Sequence, residues 1–429
     1  MNAPAFQRKP LWHQQSTGPA SCPICACQYQ APLLLDIDSL VPPHARVTFA
    51  SCPRCLVVFQ VDFNAPSYES DDVVPASLKF YVEQGAAIDI LAMPPLIARN
   101  RNVRSYLEIG CGFGFGLDFA QSAFGWDVRG IDPSAIAKEG RRLLSLPIES
   151  RYLDSGDRAL HGTISIVAAL EVVEHIDKPI DFLKTLKSLV THDGLLIITT
   201  PDATYIEPGK DKPGLLSVLS PGYHAVLFTA AGLDRELRKL GFTEVKVTPF
   251  GATLLAICGT GASKINTDQI LDHKIFETYL RGRLANLEPD SMLAIGFGYR
   301  LFKLLINHGL YKEAEPVLQR LADGLRHRDG IDILDPHAVL ASKSRPMSFD
   351  QFIAELPACI VGLFFFTAIL RLNHYEDRSG AITFFYAAHA MAGVFRRAML
   401  EIGIDDGETA DLELRAREHM KLVLTWMTS

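Results

Sequence analysis

The chain has 429 residues, of which 48% are hydrophobic and 21% are charged. At roughly 150 residues per domain this length predicts two or three domains, and the apolar share is too high for a mainly disordered chain. The 42 basic and 49 acidic residues give a net charge of −7 with no basic run, so no nucleic-acid partner is expected.

Two short cysteine motifs lie near the start of the chain. Both have the form Cys-Pro-x-Cys, and they pair Cys22 with Cys25 and Cys52 with Cys55. Zinc takes four thiolates in a tetrahedral site, and each Cys-x-x-Cys turn presents two sulfurs to one point. We therefore predict that these four cysteines bind a structural zinc ion, with free or redox-active thiols as the alternative. Cys27 is then a bystander or a substitute ligand.

Composition and periodicity divide the chain into five segments. Leucine, isoleucine and valine change from strand-like runs to helical spacing after about residue 261. The predicted segments are a loose tail at 1–20, a zinc-binding module at 21–63, a helical connector at 64–102, an α/β domain at 103–260 and a helical domain at 261–429.

Strand and helix patterns alternate within the α/β segment. Predicted strands cover 106–109, 128–131, 164–170, 195–199, 245–247 and 253–257. Predicted helices cover 117–124, 180–190 and a stretch that Thr229 caps and Gly241 ends. Because the strands lack polar alternation and helices separate them, we predict a doubly wound, mostly parallel sheet covered on both faces.

The first of these strands ends in a glycine-rich turn that opens a helix. From Glu108 the sequence runs Glu-Ile-Gly-Cys-Gly-Phe-Gly, and glycine is needed where backbone closely approaches a ligand. Asp132 ends the next strand, 132 − 110 = 22 residues after Gly110, where an acid accepts hydrogen bonds from a ribose diol. Glu108 would repel a pyrophosphate but can hold a cationic amine. A ligand with a ribose, no phosphate and a cationic amino-acid end is S-adenosylmethionine.

Four segments in this order resemble the class I S-adenosylmethionine-dependent methyltransferases. The similar segments are their motif I, the ribose-binding acid, the segment after strand 4 and strand 5, which here begin at Leu107, Ile131, Ala169 and Gly194. The resemblance covers residues from about 103 to 259. It implies a Rossmann-like sheet of seven strands that binds S-adenosylmethionine.

This resemblance also implies roles for individual residues. Glu108 and Gly110 would contact the methionine moiety, and Asp132 would bind the ribose. An acid after strand 3, Asp154 or Asp157, would face the adenine amine. The other residues implied in the cofactor site are Gly112, Gly114, Leu170 and Glu171.

Ionisable residues also gather where ligands bind in such folds, at the carboxyl edge of the sheet. Methyl transfer from a sulfonium is an in-line displacement that depends mainly on positioning, and a base is needed only where the acceptor loses a proton. The candidates are Glu174 and His175 after strand 4 and the later His224. The alternatives are a structural, hydrogen-bonded role for His175 and a solvated loop position for His224.

Two narrower resemblances involve these residues. Some O-methyltransferases, including ubiquinone-pathway and plant small-RNA enzymes, have a similar Glu-x-x-Glu-His and a later histidine that bind a divalent metal. The matching residues are Glu171, Glu174, His175 and His224. Many relatives carry the same motif without a metal, and the residues then line the cofactor or orient a loop.

The second resemblance covers the first two thirds of the chain. A four-cysteine zinc module, a tyrosine-bearing connector and this core look like the C-methyltransferases of nucleotide-linked deoxysugars, in which a histidine at the position of His224 is the base. Here Tyr223 replaces the glutamate that commonly precedes that histidine, and helices replace the family's carboxyl-terminal domain. Tyr68 and Tyr81 in the connector either face the acceptor or serve packing.

The helical segment carries two degenerate helix-hairpin motifs that resemble tetratricopeptide half-motifs. We predict a helical domain that could take a protein partner or self-associate. Its apolar run at 358–370 is shorter than the roughly 20 residues of a membrane span, which favours a buried core helix over an exposed surface. No signal-peptide pattern opens the chain, so a cytoplasmic protein is expected.

Together these patterns predict a methyltransferase acting on a sugar-like or other small-molecule acceptor. One rival is an RNA or protein methyltransferase that uses the zinc module and helical domain for recognition. The other is a non-enzymatic scaffold with a vestigial core.

Overall fold

The structure, a computed structural model, describes residues 9–42, 45–69, 74–85, 87–210, 214–268, 270–404 and 407–428. These residues form two compact units. The sheet unit comprises Met1–Val73 and Ile88–Asp272, and the helical unit comprises Val74–Ala87 and His273–Ser429.

A small antiparallel sheet carries the two cysteine motifs within the sheet unit. Its amino-terminal strands are β1 (Leu11–Trp12), β2 (Thr17–Ser21), β3 (Gln28–Asp38), β4 (Arg46–Cys52) and β5 (Val57–Gln60). The order is β1-β3-β4-β5, with β2 paired to β3. One motif lies in the turn between β2 and β3 and the other between β4 and β5, so each occupies a tight connection.

The larger sheet of this unit has seven strands. They are β6 (Ser105–Ile109), β7 (Asp127–Ile131), β8 (Ile148–Glu149), β9 (Ile164–Leu170), β10 (Val190–Pro201), β12 (Val245–Phe250) and β13 (Thr253–Gly259). The order is β12-β13-β10-β9-β6-β7-β8, and β13 runs antiparallel to both of its neighbours. The pairs from β10 to β8 are parallel, which confirms the predicted mostly parallel sheet.

The remaining strand of the sheet unit, β11 (Val226–Phe228), does not join the seven-stranded sheet. It pairs antiparallel with β5 and completes the small sheet as its sixth strand. The sequence offered no sign of this pairing, because strand patterns do not identify partners that are far apart along the chain.

Helices follow the strands of the sheet unit. They are α2 (Ile88–Leu91), α3 (Met93–Ala98), α4 (Phe115–Phe124), α5 (Ala135–Leu144), α6 (Pro179–Leu189), α7 (Leu215–Leu219) and α8 (Ala230–Lys239). Short 3-10 turns lie at Arg158–Leu160, Val173–His175, Ala203–Tyr205 and Ala262–Lys264. The predicted cap is confirmed, since the Thr229 Oγ accepts a hydrogen bond from Gly232 N–H at 3.1 Å at the start of α8.

The helical unit consists of one early helix and eight later ones among the described residues. They are α1 (Pro75–Glu83), α9 (His273–Ala285), α10 (Met292–Asn307), α11 (Tyr311–Asp329), α12 (Pro336–Lys343), α13 (Phe349–Glu355), α14 (Ile360–Asn373), α15 (Arg378–Glu401) and α16 (Gly407–Thr428). The apolar run at 358–370 is buried in α14 and the turn before it, which confirms the prediction of a core helix.

Among the described residues, no single helix is long and apolar enough to cross a membrane. The helices α13 and α14, bent by 53° at their break, meet that test only as a pair.

The structure divides three predicted segments differently. Residues 261–272, predicted as the start of the helical domain, belong to the sheet unit. Residues 11–12 and 17–20, predicted as part of a loose tail, form strands, while residues 1–8 lie outside the described residues. The predicted connector at 64–102 does not form one element, because α1 belongs to the helical unit whereas α2 and α3 belong to the sheet unit.

Buried polar contacts explain why α1 packs with helices so distant in sequence. The fully buried Glu83 lies 2.6 Å from the guanidinium of Arg328, and its other oxygen accepts a hydrogen bond from Ala358 N–H at 2.9 Å. A buried carboxylate needs such partners, so α1 is an integral part of the helical unit.

Candidate functional site

The glycine-rich turn follows β6 at the carboxyl edge of the parallel strands. Gly110, Gly112 and Gly114 have φ values of 70°, 51° and 89°, in the left-handed region that favours glycine. A Cβ on Gly110 would lie 2.4 Å from a methyl carbon of Val172, so no larger residue fits there. Gly114 immediately precedes α4, and the turn therefore presents bare backbone at the start of a helix.

Asp132 is bonded directly to this turn. Its side chain is 6% exposed, and its two oxygens accept hydrogen bonds from Gly112 N–H and Ser134 N–H, each at 2.8 Å. The acid after β7 thus fixes the backbone after β6. Each carboxylate oxygen can accept a further hydrogen bond, so Asp132 can still bind a hydroxyl group.

Glu108 is fully buried just before the turn. Its Oε2 accepts a hydrogen bond from the Tyr106 hydroxyl at 3.2 Å, whereas no described residue bonds to Oε1. Burial, opposed by the Tyr106 hydrogen bond and assisted by the charge of Asp132, raises the pKa of Glu108 to about 8. An unsatisfied buried carboxyl oxygen of this kind suits a cationic ligand.

The two acids after β8 have different surroundings. Asp157 accepts a hydrogen bond from Arg151 at 2.8 Å, and that contact lowers the pKa of Asp157. Asp154 is exposed, and among the described residues its side chain accepts one local hydrogen bond, from Gly156 N–H at 2.5 Å. Asp154 is therefore the more available of the two for a ligand.

The strand-4 motif begins where β9 ends. Leu170, the last residue of β9, is buried, and the exposed Glu171 has a left-handed φ of 54°, which is uncommon for glutamate. The fully buried Glu174 accepts a hydrogen bond from the Thr200 hydroxyl at 2.9 Å, while no described residue bonds to its Oε1. Burial, followed by the charge of Glu171, raises the pKa of Glu174 well above its ordinary value.

His224 lies in the loop between α7 and β11 and is 5% exposed. This burial contradicts the alternative of a solvated loop histidine. Its Nδ1 lies 2.8 Å from the Val218 carbonyl oxygen, which can only accept, so Nδ1 carries the proton and Nε2 keeps its lone pair. Burial, followed by the nearby His175, lowers the pKa of His224 to about 3, so the ring is neutral at physiological pH.

His175 joins His224 to the connector. The two imidazole rings are 4.7 Å apart, and the Tyr68 hydroxyl lies 2.8 Å from Nδ1 of His175. Burial lowers the pKa of His175 to about 4 and raises the pKa of Tyr68, so both are neutral at pH 7. The other connector tyrosine, Tyr81, belongs to the helical unit.

Three of the four predicted ligands for a divalent metal come together. One ligand atom from each of Glu174, His175 and His224 lies within 4.8 Å of the others, and Glu171 is not part of this group. A carboxylate with two neutral imidazoles is a ligand set typical of first-row divalent metals.

The four cysteines of the two motifs also converge. The sulfurs of Cys22, Cys25, Cys52 and Cys55 all lie within 4.8 Å of one another, and Cys27 is outside the group, with its sulfur 3.4 Å from the Arg54 guanidinium. Both motifs are followed by a left-handed residue, Ala26 at φ 53° and Leu56 at φ 56°.

The chemistry of these sulfurs fits zinc. Burial raises the pKa of Cys22 to about 12, so a thiolate at that position needs a bound cation. Four convergent sulfurs on two turns of the same shape are the ligand set of a closed structural zinc site.

Comparisons with known proteins agree with this architecture. Residues 84–247 match a family model described as a methyltransferase domain. The chain is 31% identical over 120 residues to the mitochondrial ubiquinone biosynthesis O-methyltransferase of Schizosaccharomyces pombe, which covers 26% of this chain and 43% of that protein. It is 27% identical over 161 residues to the tRNA U34 carboxymethyltransferase of Cronobacter sakazakii, and this match covers 35% of this chain and 48% of that protein.

The chain contains a class I S-adenosylmethionine-dependent methyltransferase domain with a Rossmann-like fold. It spans about half the length of the curated relatives it matches. Among solved structures, an O-methyltransferase family protein from Burkholderia thailandensis aligns with a TM-score of 0.35 at 15% identity, covering 43% of this chain and 57% of that one.

Proposed function

We propose that this protein transfers the methyl group of S-adenosylmethionine to an oxygen or carbon of a sugar-like small molecule. The observation that supports this most directly is the tautomer of the buried His224, whose Nδ1 donates its proton to the Val218 carbonyl and so leaves Nε2 as the nitrogen that can accept one. His224 lies beside Glu174 and His175. These two residues come after β9, at the same edge of the sheet as the glycine-rich turn after β6.

The donor is assigned to the edge formed by β6 and β7. Asp132 would hold the ribose hydroxyls, and the unsatisfied Oε1 of Glu108 would receive the amine of the methionine moiety. Because Asp157 is committed to Arg151, Asp154 is the candidate for the adenine amine. Leu170 and Glu171 would line the same crevice.

When bound, S-adenosylmethionine supplies a methyl group whose bond to sulfur breaks as its bond to the acceptor forms, leaving S-adenosylhomocysteine. The residues of this chain then have two tasks. They hold acceptor and methyl in line, which can supply much of the rate gain, and Nε2 of His224 takes the proton that the acceptor loses. The Tyr68 hydroxyl and His175 would orient the acceptor.

Glu108 predicts a proton linkage of donor binding. Its pKa of about 8 in the free protein means that it is mostly protonated at pH 7, and a bound ammonium group favours the carboxylate. Binding should therefore release a proton, and the affinity for S-adenosylmethionine should rise by up to about 10-fold per unit as pH rises from 6 toward 8. Calorimetry in buffers of different ionisation enthalpy measures the proton release.

Glu108→Gln should remove both the proton release and the pH dependence. Glu149→Gln serves as the control, since Glu149 is a partly exposed carboxylate that pairs with Arg129 and Arg151. Donor binding without proton release in the unmodified protein would contradict the assignment of Glu108.

His224→Gln is expected to lower turnover by at least about 100-fold while leaving donor affinity unchanged, because a general base contributes roughly 100- to 10,000-fold. The measurement is release of S-adenosylhomocysteine with nucleotide sugars and glycans as acceptors, followed by mass spectrometry of the product. The matched control is His192→Gln, which changes an exposed histidine of the same unit.

The same assay separates the competing functions. Methylation of RNA or protein in preference to every sugar acceptor would replace the proposed substrate class. Donor binding without product from any acceptor class would favour the scaffold. Unchanged turnover in His224→Gln would show that another group takes the proton.

A second candidate is a metal-assisted O-methyltransferase. The convergence of Glu174, His175 and His224 favours it, since these residues could hold a divalent ion that gathers acceptor hydroxyls. Turnover that disappears on chelation and returns with Mn²⁺ or Mg²⁺ would select this candidate, whereas chelator-resistant turnover would select the metal-free base.

A further inference from the structure

We infer that the small antiparallel sheet positions His224, and that Gln60 is the positioning residue through which it does so. The segment at 220–225 lies between α7 and β11 and carries Tyr223 and His224. A catalytic role for this segment rests on the function proposed above, whereas its positioning by Gln60 does not.

The strand β11 pairs antiparallel with β5. Val226 lies opposite Phe59, Leu227 opposite Val58 and Phe228 opposite Val57. The chain immediately after His224 is thus a strand of the cysteine-bearing sheet and not of the seven-stranded sheet. Any shift of β5 is transmitted to the residues that follow His224.

Gln60 forms hydrogen bonds to the backbone on both sides of His224 along the chain. It is 7% exposed, its side-chain oxygen accepts a hydrogen bond from Gly222 N–H at 2.8 Å, and its backbone N–H donates to the Ala225 carbonyl at 3.0 Å. One residue therefore fixes the backbone two positions before His224 and one position after it.

The residues that follow β3 pack closely against Gly222 and leave no room for a side chain there. This glycine has a φ of 90°, and a Cβ on it would lie 2.3 Å from the hydroxyl oxygen of Ser39. Leu40 N–H donates to the Pro221 carbonyl at 2.8 Å, which adds a second anchor next to it.

The far end of β11 is tied to the second cysteine motif. Both the N–H and the hydroxyl of Thr229 donate to the Leu56 carbonyl, at 3.1 and 2.9 Å, and the guanidinium of Arg235 donates to the Cys55 carbonyl at 2.7 Å. The strand is therefore held at both ends by residues within or next to β5.

The same short segment contacts the remainder of the candidate site. Ala225 N–H donates to the Glu174 carbonyl at 2.6 Å, and the His224 ring donates to the Val218 carbonyl. Because Gln60 and Glu174 hold opposite groups of Ala225, the distance between His224 and the strand-4 motif depends on the position of β5. The small sheet thus holds the backbone of the segment that carries His224.

The test is Gln60→Met, which keeps the size of the side chain and removes the acceptor for Gly222 N–H. Hydrogen exchange at 220–225 should accelerate by at least about 10-fold. Selective ¹⁵N labelling of histidine should show His224 losing its single Nδ1-protonated form, and turnover should fall by about 10- to 100-fold with donor affinity unchanged. Gln60→Glu retains an acceptor oxygen and should restore most of the protection.

The matched control is Gln30→Met, which alters an exposed residue on β3 of the same sheet. Unchanged exchange and an unchanged His224 spectrum in Gln60→Met would overturn the inference, even if the variant were less stable. Exchange and spectrum are independent of any substrate. They would therefore support the positioning role even if no acceptor were methylated, in which case only the proposed function would fail.

Discussion

Replacement of Asp132 by alanine is expected to weaken S-adenosylmethionine binding about 100-fold. The carboxylate holds Gly112 and Ser134 by their N–H groups and is the candidate partner of the ribose, so its removal loosens the turn and the ligand together. Hydrogen bonds to a charged group contribute about 1.5–3 kcal/mol each, and about 2.8 kcal/mol corresponds to 100-fold in affinity. Isothermal titration with S-adenosylmethionine gives the two dissociation constants.

Asp127→Ala is the control for this change. Asp127 is an exposed residue at the opposite end of the same strand, β7, and its removal should leave the affinity within about 2-fold. Asp132→Asn should give an intermediate loss, because it keeps one acceptor oxygen without the charge. Wild-type affinity in a correctly folded Asp132→Ala would exclude this edge of the sheet as the donor site.

Cys52→Ala is expected to release the zinc ion that we propose for the four convergent sulfurs. Metal analysis should find one zinc per chain in the unmodified protein and none in the variant. Binding of a structural zinc provides roughly 10 kcal/mol or more to small zinc-dependent folds. If half of that is lost here, the melting temperature should fall by at least about 10 °C, measured by calorimetry.

Cys27→Ala tests the ligand set directly. The Cys27 sulfur lies outside the group of four, so this variant should keep its zinc and its melting temperature. Zinc loss in Cys27→Ala would make Cys27 a ligand. If the unmodified protein contained no zinc and Cys52→Ala were equally stable, the cluster would consist of free or redox-active thiols.

The seven-stranded sheet was largely predictable from the sequence. Its inner strands are buried, so they appear as continuous apolar runs, and the predicted strand at 164–170 coincides with β9. The edges were harder to predict. The predicted strand at 195–199 missed the start of β10 at Val190, because the residues at 191–193 are polar and at most partly buried. The two-residue β8 is too short to show any periodicity.

The small sheet was mostly missed. Only β5 has a continuous run of buried residues, whereas β2 and much of β3 alternate exposed with partly buried positions and contain proline. Its sixth strand comes from residues 226–228, and no local pattern reports a partner so far away in the chain.

The sequence predicted most residues of the candidate site but not how they are arranged. Glu174, His175 and His224 were selected and come together, and Tyr68 faces them, but the expected fourth ligand Glu171 is exposed and outside the group. Gln60 gave no signal. A buried glutamine at the end of a strand carries no motif, and its importance depends on which backbone lies opposite its side chain.

The helical unit is discontinuous in sequence, so its first helix is synthesised well before its other helices. The helix α1 ends at Glu83, and α10, the first later helix against which it packs, begins at Met292, an interval of 292 − 83 = 209 residues. At ribosomal rates of roughly 5–20 residues per second, α1 waits about 10 to 40 s for its partners. The face of α1 that carries Glu83 and is buried in the folded unit therefore stays exposed to water while the entire methyltransferase core is translated.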